Sequence, residues 1–582
     1  MNKIDFVDQT LRDAQQSLWG YMMTTDMITP IAEVMDQVGY KAIATVGSQA
    51  FTVLVRNLND NPWERIKILS SLLKKTPLRG SYQTGSLSTF DLSTPRDVIT
   101  LWIKRSIANG IKCFWVCDWQ DDMDRFVYFA DIAKAEGASV VTTLGYSLSP
   151  VHNEAYWARK VELIVGTKDY VDAIMIEDGG GLLTPESTRD LIKTVQQHCD
   201  GIPIEFHAHC NSGLAPLCYL EAIKLGVKTV HTAIAPLANG TSLPATETIL
   251  KNARRLGFTS NLNEDALAAV SAHFRTIAEE EGLPIGVPAE YDLFHFEHQV
   301  PGGMMTNLTR QLKEAKMENR LDEILDEIVQ VREELGYPVM GTPFSQIVGA
   351  QAIENIISGK RYGQITDEVI KYALGHYGEP LAPIDPDVLD KITSSPRYPE
   401  FLNWTSGGTD KSIDELRNEH GPRLSDDDLL LKILIPGKAL KPAQPGKKVE
   451  TPKRRSPTPP GPPAEWPAEF SVDVDGDVFN VKISPKYRGD GQKGISRVEE
   501  TSQTVQGVPQ TKDGAVIPGM PGMILSIEVV VGDKIEAGHL LAVIESMKMK
   551  RLFHAPHGGE VKEILAGEGD TIDTEDVLMV VS

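Results

Sequence analysis

Cysteine is scarce: the 582 residues contain five, an odd number with no closely spaced pair of the kind that holds zinc. A disulfide scaffold is thereby excluded, and a reducing compartment fits. Long apolar runs are missing too, none approaching the ~20 residues that a bilayer span requires. The chain opens directly on "MNKIDFVDQTLRD" with no basic-then-apolar leader, so a cytoplasmic protein with no direct membrane span is expected. Positive charge is also in short supply. With 58 Lys and Arg against 80 Asp and Glu, the formal net charge of -22 excludes nucleic acid or an anionic membrane surface as partner. The one basic run, "KKVETPKRR", lies in a proline-rich stretch and reads as solvated linker.

What is present is length and a strong α/β rhythm. A chain of 582 residues exceeds what one hydrophobic core can organise, so several domains are expected. Its first 235 residues hold eight short apolar runs: "KIDFVD", "KAIATV", "PLRGSY", "KCFWVCD", "SVVTTLG", "DAIMIED", "IEFHAH" and "KTVHTA". Helical patterns separate them by roughly 25 to 35 residues, the length a parallel crossover needs. Eight such units predict a (β/α)8 TIM barrel, whose active site forms at the C-terminal strand ends. Asp13, Asp118, Asp178, His207 and His209 all fall at or just beyond those ends.

Residues 1–295 are read as the barrel domain and 296–435 as a helical extension, with periods such as "NRLDEILDEIVQVREELG". Residues 436–468 are too rich in proline and charge to fold and read as a flexible linker. In 469–512, "EFSVDVDGDVFNVKIS" predicts a hairpin with an Asp-Gly turn, followed by a second polar linker. Residues 513–582 contain a repeat. "GMILSIEVVVGDKIEAGHLLAVI" and "GEVKEILAGEGDTIDTEDVLMVV" share Gly-Asp pairs at 532–533 and 569–570, which predicts a small pseudo-symmetric all-β domain.

Lys548 lies near the turn joining those halves, within "ESMKMKRLF". A lysine on such a hairpin is either an ordinary surface residue or the attachment point of a swinging prosthetic group. In the barrel, His207 and His209 are two apart on one strand end, so both rings face the same mouth. With Asp13 they form a candidate divalent-metal site, or else a hydrogen-bonded polar barrel top. Glu177 and Asp178 end strand six, facing that mouth.

The motifs "DQTLRDAQQS", "YSLSPVHN", "GLLTP", "HAHCNSGLAP", "HQVPGGMMTNL", "VREELGYP" and "GTPFSQIVGAQA" are similar, in order and spacing, to a known family. It is the carboxyltransferase family that includes the B subunit of two-subunit pyruvate carboxylases, the alpha subunit of oxaloacetate decarboxylase and the transcarboxylase 5S subunit. The C-terminal domain resembles a biotin carboxyl carrier (lipoyl-like) domain, whose Met-Lys-Met motif is matched by Met547, Lys548 and Met549. The resemblance implies biotin bound covalently to Lys548 by a biotin protein ligase. It further implies a carboxyl group moved between carboxybiotin and an enolisable acceptor, pyruvate or oxaloacetate. Partners implied are a separate biotin carboxylase, or the other subunits of a decarboxylase complex, and a second copy of the chain in a homodimer. Asp13, His207 and His209 match family metal ligands for Zn, Mn or Co. Gln16 matches a substrate-contacting glutamine, and Thr342 matches the threonine that relays a proton; alone, Thr342 also reads as a helix N-cap before Pro343.

Four positions depart from the family pattern. Glu177 stands where the family has a carbamylated lysine ligand, keeping the charge but falling about 3 to 4 Å short in reach. Asp178 is a possible substitute. Gln83 aligns with the arginine that grips the acceptor carboxylate, Trp115 replaces a second arginine, and Thr52 replaces an acid. A pocket without those arginines predicts a larger or less charged acceptor. A reading of another class is a barrel that only assembles the complex while the chain carries biotin.

Overall fold

The structure, a computed structural model, describes residues 3–84, 87, 94–119, 122–314, 317–404, 411–435, 469–474, 477–482, 514–518, 522–546, 549–572 and 576–582. The chain divides into two compact units, Met1–Lys441 with Asp513–Ser582, and Pro442–Lys512.

Eight parallel strands close into a barrel: β1 (Asp5–Asp8), β2 (Ala42–Gly47), β3 (Leu78–Gln83), β4 (Ile111–Cys117), β5 (Ser139–Gly145), β6 (Ala173–Asp178), β7 (Ile204–Ala208) and β8 (Thr229–Thr232). β1 closes the ring by pairing with β8 from Asp5↔Thr229 to Asp8↔Thr232. Parallel strands covered by helices are buried on both faces, which explains the apolar residues that dominate β2, β4 and β5 and the first four positions of β6. Every residue of β2 and of β6 is buried. The surrounding helices start where their sequences supply caps. Asn61 accepts from Trp63 N and Glu64 N ahead of Pro62–Leu72, Thr184 forms a capping box ahead of Pro185–His198, and Asn263 caps Glu264–Glu281. Each cap satisfies donors that the first turn leaves unpaired, worth about 1 kcal/mol.

The helical extension does not behave as one body. Residues from Val300 to Phe401 build their own core around Ile324, Ile328, Val331, Val348 and Ile370. The last two helices, Ile413–His420 and Asp426–Leu434, instead join the barrel core through Leu416, Leu430 and Leu431. Asp427 fixes them there, receiving Arg105 Nε at 2.7 Å and Lys67 Nζ at 3.1 Å from barrel helices. Among the described residues no helix is long and apolar enough to cross a membrane. The five cysteines are free and buried.

In the second unit, β9 (Glu469–Val474) and β10 (Asp477–Lys482) form the predicted antiparallel hairpin. Its Asp-Gly turn and both polar linkers lie outside the described residues.

The C-terminal repeat folds as two four-stranded sheets, β11-β18-β16-β13 and β15-β14-β12-β17. The first repeat supplies β12 (Gly522–Ile527), β13 (Lys534–Ile535) and β14 (Leu540–Ser546); the second supplies β16 (Gly559–Ile564), β17 (Thr571–Ile572) and β18 (Met579–Val581). β11 is Ala515–Val516 and β15 is Met549–His554. Each half therefore lends its short middle strand to the sheet of the other, which makes the two halves mutually dependent. Leu541, Ile544, Val561 and Leu578 fill the space between them. β14 and β15 pair out to Ser546↔Met549, so two residues join them. Those two, Met547 and Lys548, lie outside the described residues.

Candidate functional site

After β1 the chain turns through Thr10–Ala14, tied to β8 by Gln9 N→Thr232 O at 2.9 Å and Ile234 N→Thr10 Oγ1 at 3.0 Å. This turn brings Arg12 and Asp13 over the C-terminal end of the barrel. There they line an open cavity together with Gln16, Tyr21, Gln83, Glu177, His209 and Thr342.

The structure brings Asp13, His207 and His209 together, with one ligand atom from each within 4.8 Å of the others. His207 Nε2 lies 3.3 Å from Asp13 Oδ2 and His209 Nε2 lies 3.5 Å from Asp13 Oδ1. His209 Nδ1 donates to Thr241 O at 2.7 Å; a carbonyl only accepts, so Nε2 is left as a lone pair. His207 Nε2 is buried without a hydrogen-bond partner. Two imidazole lone pairs and a carboxylate converging on one point suit a divalent transition metal. Burial opposes the charge on Asp13, but the adjacent Arg12 guanidinium leads the groups that outweigh it and hold the carboxyl well below its usual range. Burial pushes His207 down to about 3, which keeps its ring neutral.

Glu177 does not join this group. It lines the cavity, Cys117 Sγ approaches its Oε2 at 3.9 Å, and burial pushes its carboxyl up to about 8. Asp178 is engaged elsewhere: Leu182 N and Leu183 N donate to its two oxygens at 2.9 and 2.7 Å. It organises the glycine-rich loop and does not substitute for the missing lysine ligand. In that loop Gly181 has φ +68°, and a Cβ there would sit 2.8 Å from His209 O. Only glycine lets the loop pass this close to the His209 backbone.

Gln16 accepts the Tyr21 hydroxyl on its carbonyl oxygen, so its amide N–H groups are the end available to a ligand. Gln346 Nε2 donates to Thr342 Oγ1 at 3.1 Å, which leaves the Thr342 hydroxyl its own proton to give. Thr342 is not a helix cap, since the N-cap of Phe344–Ser358 is Pro343 and accepts no side-chain hydrogen bond. Its approach to the cavity depends on Gly341, where a Cβ would meet the Trp119 ring at 2.7 Å. Gln83 faces the cavity and accepts from Gln49 Nε2 at 2.6 Å.

Two expected pocket residues are not part of the cavity wall. Trp115 is fully buried inside the barrel with Cys113, Val141, Ala173 and Met175, because its strand parity turns it inward. Thr52 lies on the outer helix Ala50–Leu58, and that segment contributes Gly47, Ser48 and Gln49 to the wall instead. The residue that sequence reasoning passed over is Arg12. Its guanidinium stacks 4.1 Å above the Trp115 ring, donates to Asp13 Oδ2 at 2.6 Å and reaches Ser81 Oγ at 3.3 Å. Those two hydrogen bonds use Nη1 and Nε, and neither engages the two donors on Nη2. The cavity thus keeps one arginine, although neither Gln83 nor Trp115 supplies it. Its signal was the cation directly preceding a ligand in the turn after β1.

Known proteins resemble this chain along most of its length. Residues 94–273 match the family described as HMGL-like, 296–482 the Conserved carboxylase domain, and 514–581 the Biotin-requiring enzyme family. The chain is 35% identical over 557 residues to the B subunit of pyruvate carboxylase from Methanocaldococcus jannaschii, covering 94% of each. It is 30% identical over 603 residues to the 2-oxoglutarate carboxylase large subunit of Hydrogenobacter thermophilus, covering 95% of this chain and 91% of that one. Among solved structures, the carboxyl transferase domain of Rhizobium etli pyruvate carboxylase with pyruvate and biocytin matches with a TM-score of 0.67 at 21% identity. That match covers 75% of this chain and 76% of that one, and it is a likeness of fold.

Proposed function

The chain belongs to the family of biotin-dependent carboxyltransferase subunits that includes the B subunit of pyruvate carboxylase, and we propose that it moves a carboxyl group between biotin on Lys548 and pyruvate. The observation that carries the substrate is the cavity wall: Arg12 is the one Lys or Arg side chain among the described lining residues, beside Asp13, His209, Gln16 and Thr342. One guanidinium matches one acceptor carboxylate. A second carboxylate, as on 2-oxoglutarate, would enter beside Glu177 and the amides of Gln49 and Gln83 without a cation. The relative that acts on 2-oxoglutarate makes that acid the comparison of choice. With Arg12 in the mouth and Trp115 beneath it, an uncharged acceptor has no observation in its favour.

Asp13, His207 and His209 would hold the metal. Bound biotin supplies the carboxyl group, and a divalent cation held beside the acceptor would draw electron density from its 2-oxo oxygen. The rest falls to side chains of this chain. Arg12 binds the acceptor carboxylate, and Trp115 holds Arg12 in place by ring-face attraction. The Gln16 amide donates to the acceptor. Thr342 Oγ1, oriented by Gln346, would take the proton that leaves the acceptor methyl carbon as it gives its own to the ureido nitrogen that carried the carboxyl group. A biotin protein ligase attaches the cofactor, a separate biotin carboxylase charges it, and the chain works in the cytoplasm as a homodimer within that complex. Five buried free cysteines accord with a reducing compartment.

The test runs one half-reaction backwards on the biotinylated full-length chain, with neither partner nor ATP. Oxaloacetate labelled in its 4-carboxyl group should give pyruvate and protein-bound label in equal amounts, and Lys548→Arg should give neither. Oxalosuccinate, the corresponding donor for 2-oxoglutarate, should label the protein at least 10-fold more slowly. Label that appears on Lys548→Arg, or faster labelling from oxalosuccinate, refutes the assignment.

A further inference from the structure

One layer below the ligands, the barrel interior carries a run of charged and polar side chains that the proposed reaction does not touch. Arg79 of β3, Glu205 of β7 and His231 of β8 are each 2% exposed or less. Glu205 receives Arg79 Nη1 at 2.6 Å, Arg79 Nη2 at 3.3 Å, Lys41 Nζ at 2.9 Å and His231 Nε2 at 2.9 Å. Arg79 Nη1 also lies 3.3 Å from His231 Nε2, but its short bond, 2.6 Å, goes to the same Glu205 oxygen that Nε2 meets at 2.9 Å; a carboxylate facing two cations is ionised and can only accept, so His231 Nε2 carries the imidazole proton. His231 Nδ1 is then a lone pair. Gln9 Nε2 lies 3.0 Å from it and His207 Nδ1 lies 3.2 Å from it, and both must be donors. A proton on His207 Nδ1 leaves Nε2 as a lone pair, and Nε2 is the buried nitrogen without a hydrogen-bond partner that points at Asp13. The opposite tautomer would aim an N–H at the place where a cation has to bind.

We propose that His231, held by Glu205, is a positioning residue that fixes His207 in the tautomer able to bind a divalent cation and so sets the affinity of this centre. The proposal rests on the reading of Asp13, His207 and His209 as ligands. Glu205, His207 and His209 share one strand face by alternation, and His231 sits beside them on the neighbouring strand, so the arrangement is built into the barrel. A hydrogen-bond partner behind a metal-binding histidine typically changes affinity 10- to 100-fold.

The experiment titrates the chelator-stripped full-length chain with Zn²⁺ against an indicator and records the visible absorption of the Co²⁺ form. His231→Phe, which keeps a ring but no acceptor, should bind Zn²⁺ about 10- to 100-fold more weakly and alter the Co²⁺ bands. His231→Asn, whose side-chain oxygen can accept from His207 Nδ1, should stay within about threefold of wild type. His231→Leu supplies the same loss if the phenylalanine variant does not fold, as judged by circular dichroism. Equal affinity and an unchanged Co²⁺ spectrum in His231→Phe or His231→Leu overturn the role of His231 alone. A wild-type chain that binds neither ion overturns the ligand reading, and the relay with it.

Discussion

The barrel interior has two unlike halves. Along β4, β5 and β6 it is filled by Cys113, Trp115, Cys117, Val141, Ala173 and Met175. Along β3, β7 and β8 it is filled by Arg79, Glu205, His207 and His231. The apolar half owes its stability to volume, and a change there is felt in proportion to the space it opens. The polar half owes its stability to complete pairing, so removing one member strands the others. Each half supports a different part of the candidate site. Trp115 carries Arg12 from below, and Glu205 reaches His207 through His231. The two parts touch, since Arg12 donates to Asp13 Oδ2 and the Trp115 ring lies 5.2 Å from the His207 ring, so the proposed grip on the acceptor carboxylate and the proposed orientation of the metal ligands are separable only by degree.

The largest effect is expected in the polar half. Glu205→Ala leaves the Arg79 guanidinium buried without its counter-ion and should destabilise the barrel by about 3–5 kcal/mol. Arg79→Met combined with Glu205→Leu removes both charges and should recover most of that loss, because two matched apolar groups replace the pair. Chemical denaturation of the three chains measures it. A double variant no more stable than Glu205→Ala would mean that the two halves respond to substitution in the same way.

A smaller effect, of another kind, is expected in the apolar half. Trp115→Leu takes away the ring face under Arg12, and cation–π contacts of this type are worth about 1–2 kcal/mol. KM for the acceptor acid should rise about 10-fold, while Zn²⁺ affinity, which Trp115 touches only through its packing on His207 and Arg12, should change less. Trp115→Phe, which keeps a face, should fall between the two. If Zn²⁺ binding weakened as much as acceptor binding, grip and orientation would be one property after all.

The eight strands were legible because short β-branched and apolar stretches, such as β2 and Ala173–Ile176 of β6, recur at the spacing a parallel crossover needs. His207 and His209 were legible because alternation puts residues two apart on one face. The same rule, carried one step back, reaches Glu205, but its partners Arg79 and His231 lie on β3 and β8, and no local pattern links them. Trp115 was misjudged for a related reason. Its parity matches Cys113 and Cys117, so it points into the barrel under the mouth, while Arg12 occupies the space above. An arginine expected at that position by family resemblance does not say which other arginine fills the space. That the extension divides between two cores was not legible, because amphipathic helices reveal a buried face without revealing the core that covers it.

The smallest effect belongs to a charge pair of the same residue types at the outer edge of the barrel. Asp427 receives Arg105 at 2.7 Å, Lys67 at 3.1 Å and Asn109 at 3.3 Å, and so holds the last helix against the barrel. Burial works against its charge, but the hydrogen bonds from Arg105 and Lys67 prevail and hold its carboxyl below the ordinary 3.8. A carboxyl that ionises more readily folded than unfolded adds stability above pH ~4, and that stability is lost as the pH falls through the folded value. Asp427→Asn should therefore cost about 1 kcal/mol or less at pH 7, since Arg105 and Lys67 are open to solvent and screened. The gap between variant and wild type should narrow as the pH is taken below 4 and, separately, in 1 M salt. Thermal unfolding at each condition reads it. A gap as large as that of Glu205→Ala, or one indifferent to pH, would show that burial is not what separates the barrel interior from its rim.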